Sequence, residues 1–146
     1  MKPTIRKYMT HDPYTIGQEQ TLEVAHRVMR EHRIRHLPVL AGGKLVGIVS
    51  QRDLHLIETL RDVDPAKTTV AEAMTMDVYI TTPNTPLAEA ACVMADHKYG
   101  CAVIVDRGKI GGMFTTVDAL NALAQLLEEK PRASNDPLPA RLARDG

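Results

Sequence analysis

The chain has 146 residues, with 18 basic and 18 acidic side chains and a hydrophobic content of 44%. This length allows one domain of ordinary size or two very small ones, and a unit of half the length would be only marginally stable alone. The zero net charge excludes a global field that attracts nucleic acid or an anionic membrane. Because aromatic residues make up only 3% and Trp is absent, a base-stacking platform is also excluded, and we expect no nucleic acid partner.

The sequence gives no sign of export or of membrane insertion. Its first ten residues, MKPTIRKYMT, lack the apolar core of a signal peptide. No apolar run approaches the length of about 18 residues that a membrane-spanning helix needs. The two cysteines, Cys92 and Cys101, lie inside apolar runs, which predicts buried thiols rather than a secreted disulfide framework. We therefore expect a cytoplasmic protein with no membrane partner.

The chain contains an internal repeat with an offset of sixty-five residues and no gap. KLVGIVSQRDL, which begins at Lys44, aligns with KIGGMFTTVDA, which begins at Lys109, and both place a hydroxyl residue three positions before an aspartate. Earlier in each copy, MTHDPYTI aligns with MTMDVYIT. A repeat of this length predicts one supersecondary unit that occurs twice and packs against its copy.

In the first copy, a short lead-in helix (5–9) precedes a strand at 14–16 and a helix at 21–32. Leu22, Ala25, Val28 and Met29 form one apolar stripe on that helix. Strands at 37–40 and 45–50 follow around a tight AGGK turn, and Ser50 stands at the N-cap position of the next helix.

The second copy repeats this order, with a lead-in helix (70–74), a strand (79–81), a helix (86–97) and a strand pair that ends at Thr115. Pro86 is predicted at the first helical position with Thr85 as its cap. The predicted organisation is a first repeat (1–60), a linker (61–69), a second repeat (70–130) and a flexible tail (131–146).

Two interpretations fit the repeated hydroxyl-x-x-Asp. It resembles a capping box, in which the hydroxyl and the acid satisfy free N–H groups of a helix. The same geometry also suits a ligand, because a helix N-terminus attracts anions and a carboxylate one turn in can accept hydrogen bonds from both hydroxyls of a ribose. Gly47 and Gly112 in the preceding strands would let a backbone or a ring come close.

The chain resembles a tandem pair of cystathionine-β-synthase (CBS) domains, also called a Bateman module. The features that carry the resemblance are MTHDPYTI, IRHLPVL and GIVSQRDL in the first copy, and MTMDVYIT, YGCAVIV and GGMFTTVD in the second. The resemblance covers about residues 5–127. It implies an α/β fold of two β-α-β-β-α repeats related by a pseudo-twofold axis, pairing of modules into a homodimer, and binding of an adenosine-containing ligand between the repeats.

By this resemblance, Asp53 of the first cleft holds a ribose and the basic residues beside it meet phosphate. The adenine slot comes partly from the second repeat. The residues predicted for this first cleft are Asp53, Ser50, Arg52, Ile48, Arg35, His36, Tyr79, Tyr99 and Ala102.

The second cleft is predicted to use Asp118, Thr115 and Met113, with Tyr14 and Ile34 from the first repeat. Its acid and hydroxyl remain, but the positions of Arg35, His36 and Arg52 are occupied by Gly100, Cys101 and Val117. We therefore expect the second cleft to bind more weakly, to be empty, or to suit a less charged adenosine ligand.

The resulting hypothesis is a non-catalytic regulatory module that binds AMP, ADP, ATP or S-adenosylmethionine and signals by altered packing to a separate, unknown effector protein. The alternative is a ligand-free dimerisation module in which both aspartates are only caps. An enzyme is not expected, because no nucleophile–base pair is recognisable. The histidine spacings match no metal motif, so neither a metal site nor a required cofactor is expected.

Overall fold

The computed structural model describes residues 2–128, which form two β-α-β-β-α units, as predicted. The first unit follows a short 3-10 helix (Ile5–Lys7) and a strand, β1 (Thr10–His11). It consists of β2 (Ile16–Gly17), α1 (Leu22–His32), β3 (His36–Ala41), β4 (Lys44–Ser50) and α2 (Gln51–Ile57). The second unit follows α3 (Val70–Ala73) and consists of β5 (Ile80–Thr81), α4 (Leu87–His97), β6 (Cys101–Asp106), β7 (Lys109–Thr115) and α5 (Thr116–Leu127).

The strands form two sheets with matching topology. One sheet has the order β2-β3-β4 and the other the order β1-β7-β6-β5. In each unit the first strand runs parallel to the second, and the second and third form an antiparallel hairpin. Both hairpins shift register at equivalent places, after Val39 and after Ile104, so the two copies share even their irregularities.

Both hairpin turns need residues with positive φ. Gly42 and Gly43 have φ values of 57° and 80°, and Arg107 and Gly108 have values of 54° and 78°. When both central residues have positive φ, the twist of the turn matches the twist of the two paired strands. Glycine adopts positive φ without steric cost. The predicted AGGK turn is therefore confirmed.

The two long helices bury equivalent stripes. Leu22, Ala25 and Met29 are buried on α1, and their repeat partners Leu87, Ala90 and Met94 are buried on α4. The side chain of Thr21 caps α1 by accepting a hydrogen bond from the Val24 N–H at 3.3 Å. Both helices end at a residue in the left-handed region, which stops the helix and turns the chain toward the next strand.

Three expectations for α4 were wrong. Pro86 is the N-cap rather than the first helical residue, with an extended backbone, and the buried Thr85 hydroxyl bonds to Thr81 and Thr82 instead of capping. The first helical N–H, of Leu87, donates to the carbonyl of Pro3 at 2.9 Å, so another part of the chain supplies the acceptor that a cap would provide. Cys92 is exposed on α4, whereas Cys101 is buried as predicted.

The lead-in segments exchange partners between the repeats. Ile5 and Met9 lie in the hydrophobic cluster of the second unit with Phe114. Val70 lies in the cluster of the first unit with Leu22. Each lead-in therefore completes the core of the repeat that it does not belong to in sequence, and the two repeats are held together by their cores.

The two sheets meet through a small inter-repeat cluster that contains Ile48, Cys101, Val103 and Met113. Among residues 2–128, no helix combines the length and the apolar character needed to cross a lipid bilayer. The tail predicted for 131–146 lies outside the described residues. The domain boundaries given above stay predictions.

Candidate functional site

Asp53 occupies the first turn of α2 and acts as a helix cap. Its Oδ2 accepts a hydrogen bond from the Ser50 N–H at 2.9 Å, and its own N–H donates to Ser50 Oγ at 3.0 Å. A third partner comes from the other repeat, since the Thr75 hydroxyl donates to Asp53 Oδ1 at 3.4 Å. The predicted capping box is thus confirmed, and it is joined by a contact between the repeats.

Asp118 has the same arrangement at the start of α5. Its Oδ2 accepts from the Thr115 N–H at 2.9 Å, and its N–H donates to Thr115 Oγ1 at 3.3 Å. The Thr10 hydroxyl reaches it from the first repeat at 3.3 Å. The sequence analysis missed Thr10 and Thr75, although both belong to the Met-Thr-x-Asp segment that the two copies share.

A cavity of about 710 Å³ opens beside Asp53 and runs between the two repeats. Eight of the nine residues predicted for the first cleft line it: Asp53, Ser50, Arg52, Ile48, Arg35, His36, Tyr79 and Tyr99. The sequence analysis did not assign the other lining residues to this cleft: Gln51, His55, Thr75, Asp77, Val78, Lys98, Gly100, Cys101 and Thr116. That these residues bind a ligand stays a prediction.

The ninth predicted residue, Ala102, does not line this cavity. It is fully buried in the hydrophobic cluster that contains Ile104 and Phe114, while the neighbouring Cys101 faces the cavity. Successive residues of a strand point to opposite faces of the sheet, so a prediction displaced by one residue selects the wrong face.

The cavity brings cations close to a carboxylate. Arg35, Arg52 and Lys98 line it, together with Asp53 and Asp77. Cations with free N–H donors bind phosphate oxygens, and a carboxylate accepts hydrogen bonds from hydroxyl groups. This combination suits a ligand that carries both vicinal hydroxyls and a negative charge.

His36 and Cys101 line the cavity as largely neutral groups. Burial lowers the pKa of His36; the charge of Asp53 opposes this shift and that of Arg35 adds to it. Burial and, to a smaller extent, the negative charge of Asp53 raise the pKa of the Cys101 thiol to about 12. A thiol with this pKa is a poor nucleophile near neutral pH.

Gly100 makes room for the imidazole of His36. A Cβ placed at residue 100 would lie 3.0 Å from His36 Nε2, closer than carbon and nitrogen atoms normally pack. The second repeat therefore contributes empty space where the first contributes a charged side chain, because Gly100 is the repeat partner of Arg35.

Aromatic rings form a ladder at one side of the cavity. The Tyr79 and Tyr99 rings are stacked with centroids 5.9 Å apart, and His97 stacks on Tyr99 at 5.1 Å. The Tyr99 hydroxyl donates to Asp77 at 3.4 Å. These rings offer a flat apolar surface next to the polar end of the cavity.

The residues predicted for the second cleft are less closely grouped. Met113 is buried between the sheets, Tyr14 is 51% exposed and stacks on His32 at 3.7 Å, and Ile34 lines a separate cavity. Burial raises the pKa of Asp118, and its hydrogen bonds from Thr115 and Thr10 only partly offset this shift. The predicted weaker binding at this cleft stays a prediction.

Among the residues that the structure describes, no three His, Cys, Asp or Glu side chains are grouped as a metal site would require. The sequence pattern of the CBS domain matches the chain twice, over residues 5–56 and over residues 70–125. The chain belongs to the CBS domain family. Both matched segments contain one capping-box aspartate, so each of the two carboxylates belongs to its own CBS domain.

Two curated relatives share this CBS pair. The CBS domain-containing protein YhcV of Bacillus subtilis is 30% identical over 83% of this chain and 86% of its own length. The inosine-5'-monophosphate dehydrogenase of Korarchaeum cryptofilum is 35% identical over 76% of this chain, but over only 22% of the enzyme. This chain therefore spans less than a quarter of that dehydrogenase's length.

Solved structures share the CBS fold. The Vibrio cholerae protein named AcuB is 33% identical with a TM-score of 0.77, and the match covers 87% of this chain and 94% of that one. CBSX2, whose structure contains AMP, is 25% identical with a TM-score of 0.73, and the match covers 86% of this chain and 99% of that one. The predicted fold and family are thus confirmed.

Proposed function

We propose that this CBS domain pair is a non-catalytic regulatory module that binds an adenosine-containing ligand of the AMP, ADP or ATP class. The observation that carries the proposal is the cavity beside Asp53, where a carboxylate, two arginines and aromatic rings line the same space between the repeats. Such a site supplies partners for ribose, phosphate and base together. Binding of AMP by CBSX2 supports the same ligand class.

In this proposal Asp53 accepts hydrogen bonds from the ribose hydroxyls, while Arg35 and Arg52 meet the phosphate. Among the described residues, Oδ1 of Asp53 has one long hydrogen bond, of 3.4 Å from Thr75, so it keeps acceptor capacity for a ligand. Charge-assisted hydrogen bonds of this kind contribute about 1.5–3 kcal/mol each. S-adenosylmethionine offers the same ribose but a positive sulfonium, so we expect it to bind more weakly beside these arginines.

We further propose that the ligand signals by changing how the two repeats pack. The cavity is lined from both repeats, so a ligand in it contacts both at once. A ligand shifts such an equilibrium only by the difference between its affinities for the two arrangements. An effector protein that contacts both repeats would respond to that shift.

Calorimetric titration with AMP, ADP, ATP and S-adenosylmethionine tests the binding proposal. We expect one adenine nucleotide per chain, and we expect Asp53→Asn to lower its affinity by about tenfold or more, since a buried hydrogen bond to a charged acceptor is lost. Asp118→Asn is the matched control, because it makes the same change in an equivalent capping box that does not line this cavity.

Three results would contradict the proposal. Absence of heat with all four compounds would favour the ligand-free dimerisation module. An equal loss of affinity in Asp53→Asn and Asp118→Asn would place the ligand elsewhere or assign both effects to folding. Turnover of an adenine nucleotide would show that the module is catalytic.

We also propose that the chain forms a homodimer through α5. Leu120, Leu123 and Leu127 recur at helical spacing on this helix and are 65%, 53% and 77% exposed. A contiguous apolar face of this kind is typical of an interaction surface. The repeat partners of Leu120 and Leu123 are His55 and Glu58, so the first repeat does not carry leucines at these positions.

Sedimentation velocity over a range of protein concentrations tests the dimer. We expect Leu120→Glu with Leu123→Glu to shift the wild-type dimer to monomer, because two buried charges would be unpaired in the interface. Met76→Glu is the control, since Met76 is 77% exposed but lies outside α5. A wild-type protein that stays monomeric at all concentrations would contradict the proposed dimer.

A further inference from the structure

A second cavity, of about 410 Å³, lies next to the ligand cavity and has no role in the proposal above. We call it the arginine groove. Its lining comes from α1, the turn after α1 and the start of α2, and consists of His26, Met29, Arg30, Arg33, Ile34, Arg35 and Gln51.

The arginine groove and the ligand cavity share one wall. Arg35 and Gln51 line both. Their backbones are joined, because the Gln51 N–H donates to the Arg35 carbonyl at 2.8 Å. A ligand group that contacts Arg35 in the cavity is therefore separated from the groove only by the Arg35 side chain.

The groove is more strongly cationic than the ligand cavity. Three arginines line it without any carboxylate among the lining residues, whereas the ligand cavity also contains Asp53 and Asp77. Within residues 2–128, His26 Nε2 lies 2.8 Å from a carboxylate oxygen of Glu58, and none of the three arginines takes part in an ion pair. Their guanidinium donors are free to bind an anion.

We propose that the arginine groove is a subsite for the outer phosphates of a nucleoside polyphosphate whose nucleoside occupies the cavity beside Asp53. The inference rests on the proposed function and narrows its ligand class from AMP, ADP or ATP to a nucleoside polyphosphate. The phosphate next to the ribose meets Arg35, and the chain of further phosphates passes over Arg35 and Gln51 to Arg33 and Arg30. Guanidinium groups match phosphate oxygens in geometry as well as in charge.

The test compares AMP with ATP by calorimetry, without magnesium so that the phosphates keep their full charge. We expect wild-type protein to bind ATP about tenfold or more tightly than AMP, because two further arginines are engaged. The double variant Arg30→Gln with Arg33→Gln should remove this preference by weakening ATP alone, since neither residue lines the cavity that holds the nucleoside.

Arg27→Gln with Arg61→Gln is the matched control. Arg27 lies on α1 and Arg61 in the following linker; both are exposed and line neither cavity, so this variant removes the same charge without touching the groove. A preference for ATP that falls equally in both double variants would reflect the general field of the protein and would overturn the subsite.

Titration with inorganic tripolyphosphate tests the subsite without a nucleoside. We expect tripolyphosphate to bind wild-type protein and to lose affinity in the Arg30/Arg33 variant but not in the control variant. If AMP binds and ATP binds no better, the proposed function stands and the subsite is wrong. If neither nucleotide binds, both proposals fail, even if tripolyphosphate binds.

Discussion

The imidazole of His36 is half-buried, with charged side chains and a glycine as its neighbours. Asp53 and Arg35 act on it with opposite charge effects, and Gly100 leaves the gap that it fills. Its lowered pKa means that the folded protein takes up this proton at a lower pH than the unfolded chain does. The contribution of His36 to the free energy of unfolding is therefore fully present above pH 6.5, the pKa of an unfolded histidine. It is lost as the pH falls below that value toward the lower pKa of the folded protein.

We predict that His36→Gln makes stability less sensitive to acid. The free energy of unfolding of wild-type protein should decrease more than that of the variant between about pH 7.5 and about pH 5.5, because only the wild type gains this proton on unfolding. Urea unfolding at both pH values measures the two changes. Any packing defect of the variant is present at both pH values. A difference in free energy of unfolding between wild type and variant that is the same at both pH values would therefore contradict the prediction.

Sequence reasoning identified single residues best where a local motif fixes them. Ser50 and Asp53 were recognised because a capping box is defined by spacing alone. Thr75 was missed, since its contact with Asp53 depends on how one repeat packs against the other. Ala102 was misplaced by one position along β6, and a strand gives no local signal that decides which face meets a cavity.

Among the strands, β4 and β7 are notable for glycines that permit a close approach. The Ile48 and Thr75 backbones exchange hydrogen bonds of 2.9 and 2.7 Å beside Gly47. A Cβ on Gly47 would lie 2.8 Å from Met74 Sδ and 2.9 Å from the Thr75 carbonyl oxygen, and one on Gly112 would meet Met9 and Thr10 at the same distances. The expectation that a backbone comes close at these glycines is therefore confirmed.

We predict that Gly47→Ala and Gly112→Ala each lower the free energy of unfolding by about 1–3 kcal/mol, because the added methyl group would overlap backbone. Gly111→Ala is a control within the same strand, since its Cβ would meet its nearest neighbour at 3.6 Å, an ordinary contact. Urea unfolding of the three variants measures the effect. Equal losses in all three would mean that glycine is not required for close approach.

The elements themselves were predictable because each has a strong local pattern. The apolar stripe of α1, the glycine turn between β3 and β4, and the hydroxyl cap of α2 are all contained in short segments. The start of α4 was mispredicted because its first N–H is satisfied by Pro3, more than eighty residues away in sequence. Local rules for caps assume that the acceptor is nearby.

At the scale of the whole molecule, the exchanged lead-ins bind the two repeats together. Ile5 and its repeat partner Val70 are both fully buried, each in the core of the opposite repeat. The sequence shows that the two segments are equivalent, but it carries no signal for which core each one enters.

We predict that Ile5→Ala loosens the second repeat and Val70→Ala the first. Removing buried Ile methyl groups costs about 2–5 kcal/mol, and the smaller Val should cost less. Hydrogen exchange should rise in β6 and β7 for Ile5→Ala, and in β3 and β4 for Val70→Ala. Each variant serves as the control for the other, and the opposite pattern would mean that the lead-ins support their own repeats.

The exchange of lead-ins bears on how such a chain could have arisen. A solitary ancestral copy of the repeat would leave its own core open at the place where Ile5 or Val70 now enters. Two separate copies would close both cores by trading these segments, as in a domain-swapped pair. The present chain has the arrangement that such a pair would have if residues 58–69 joined its two copies.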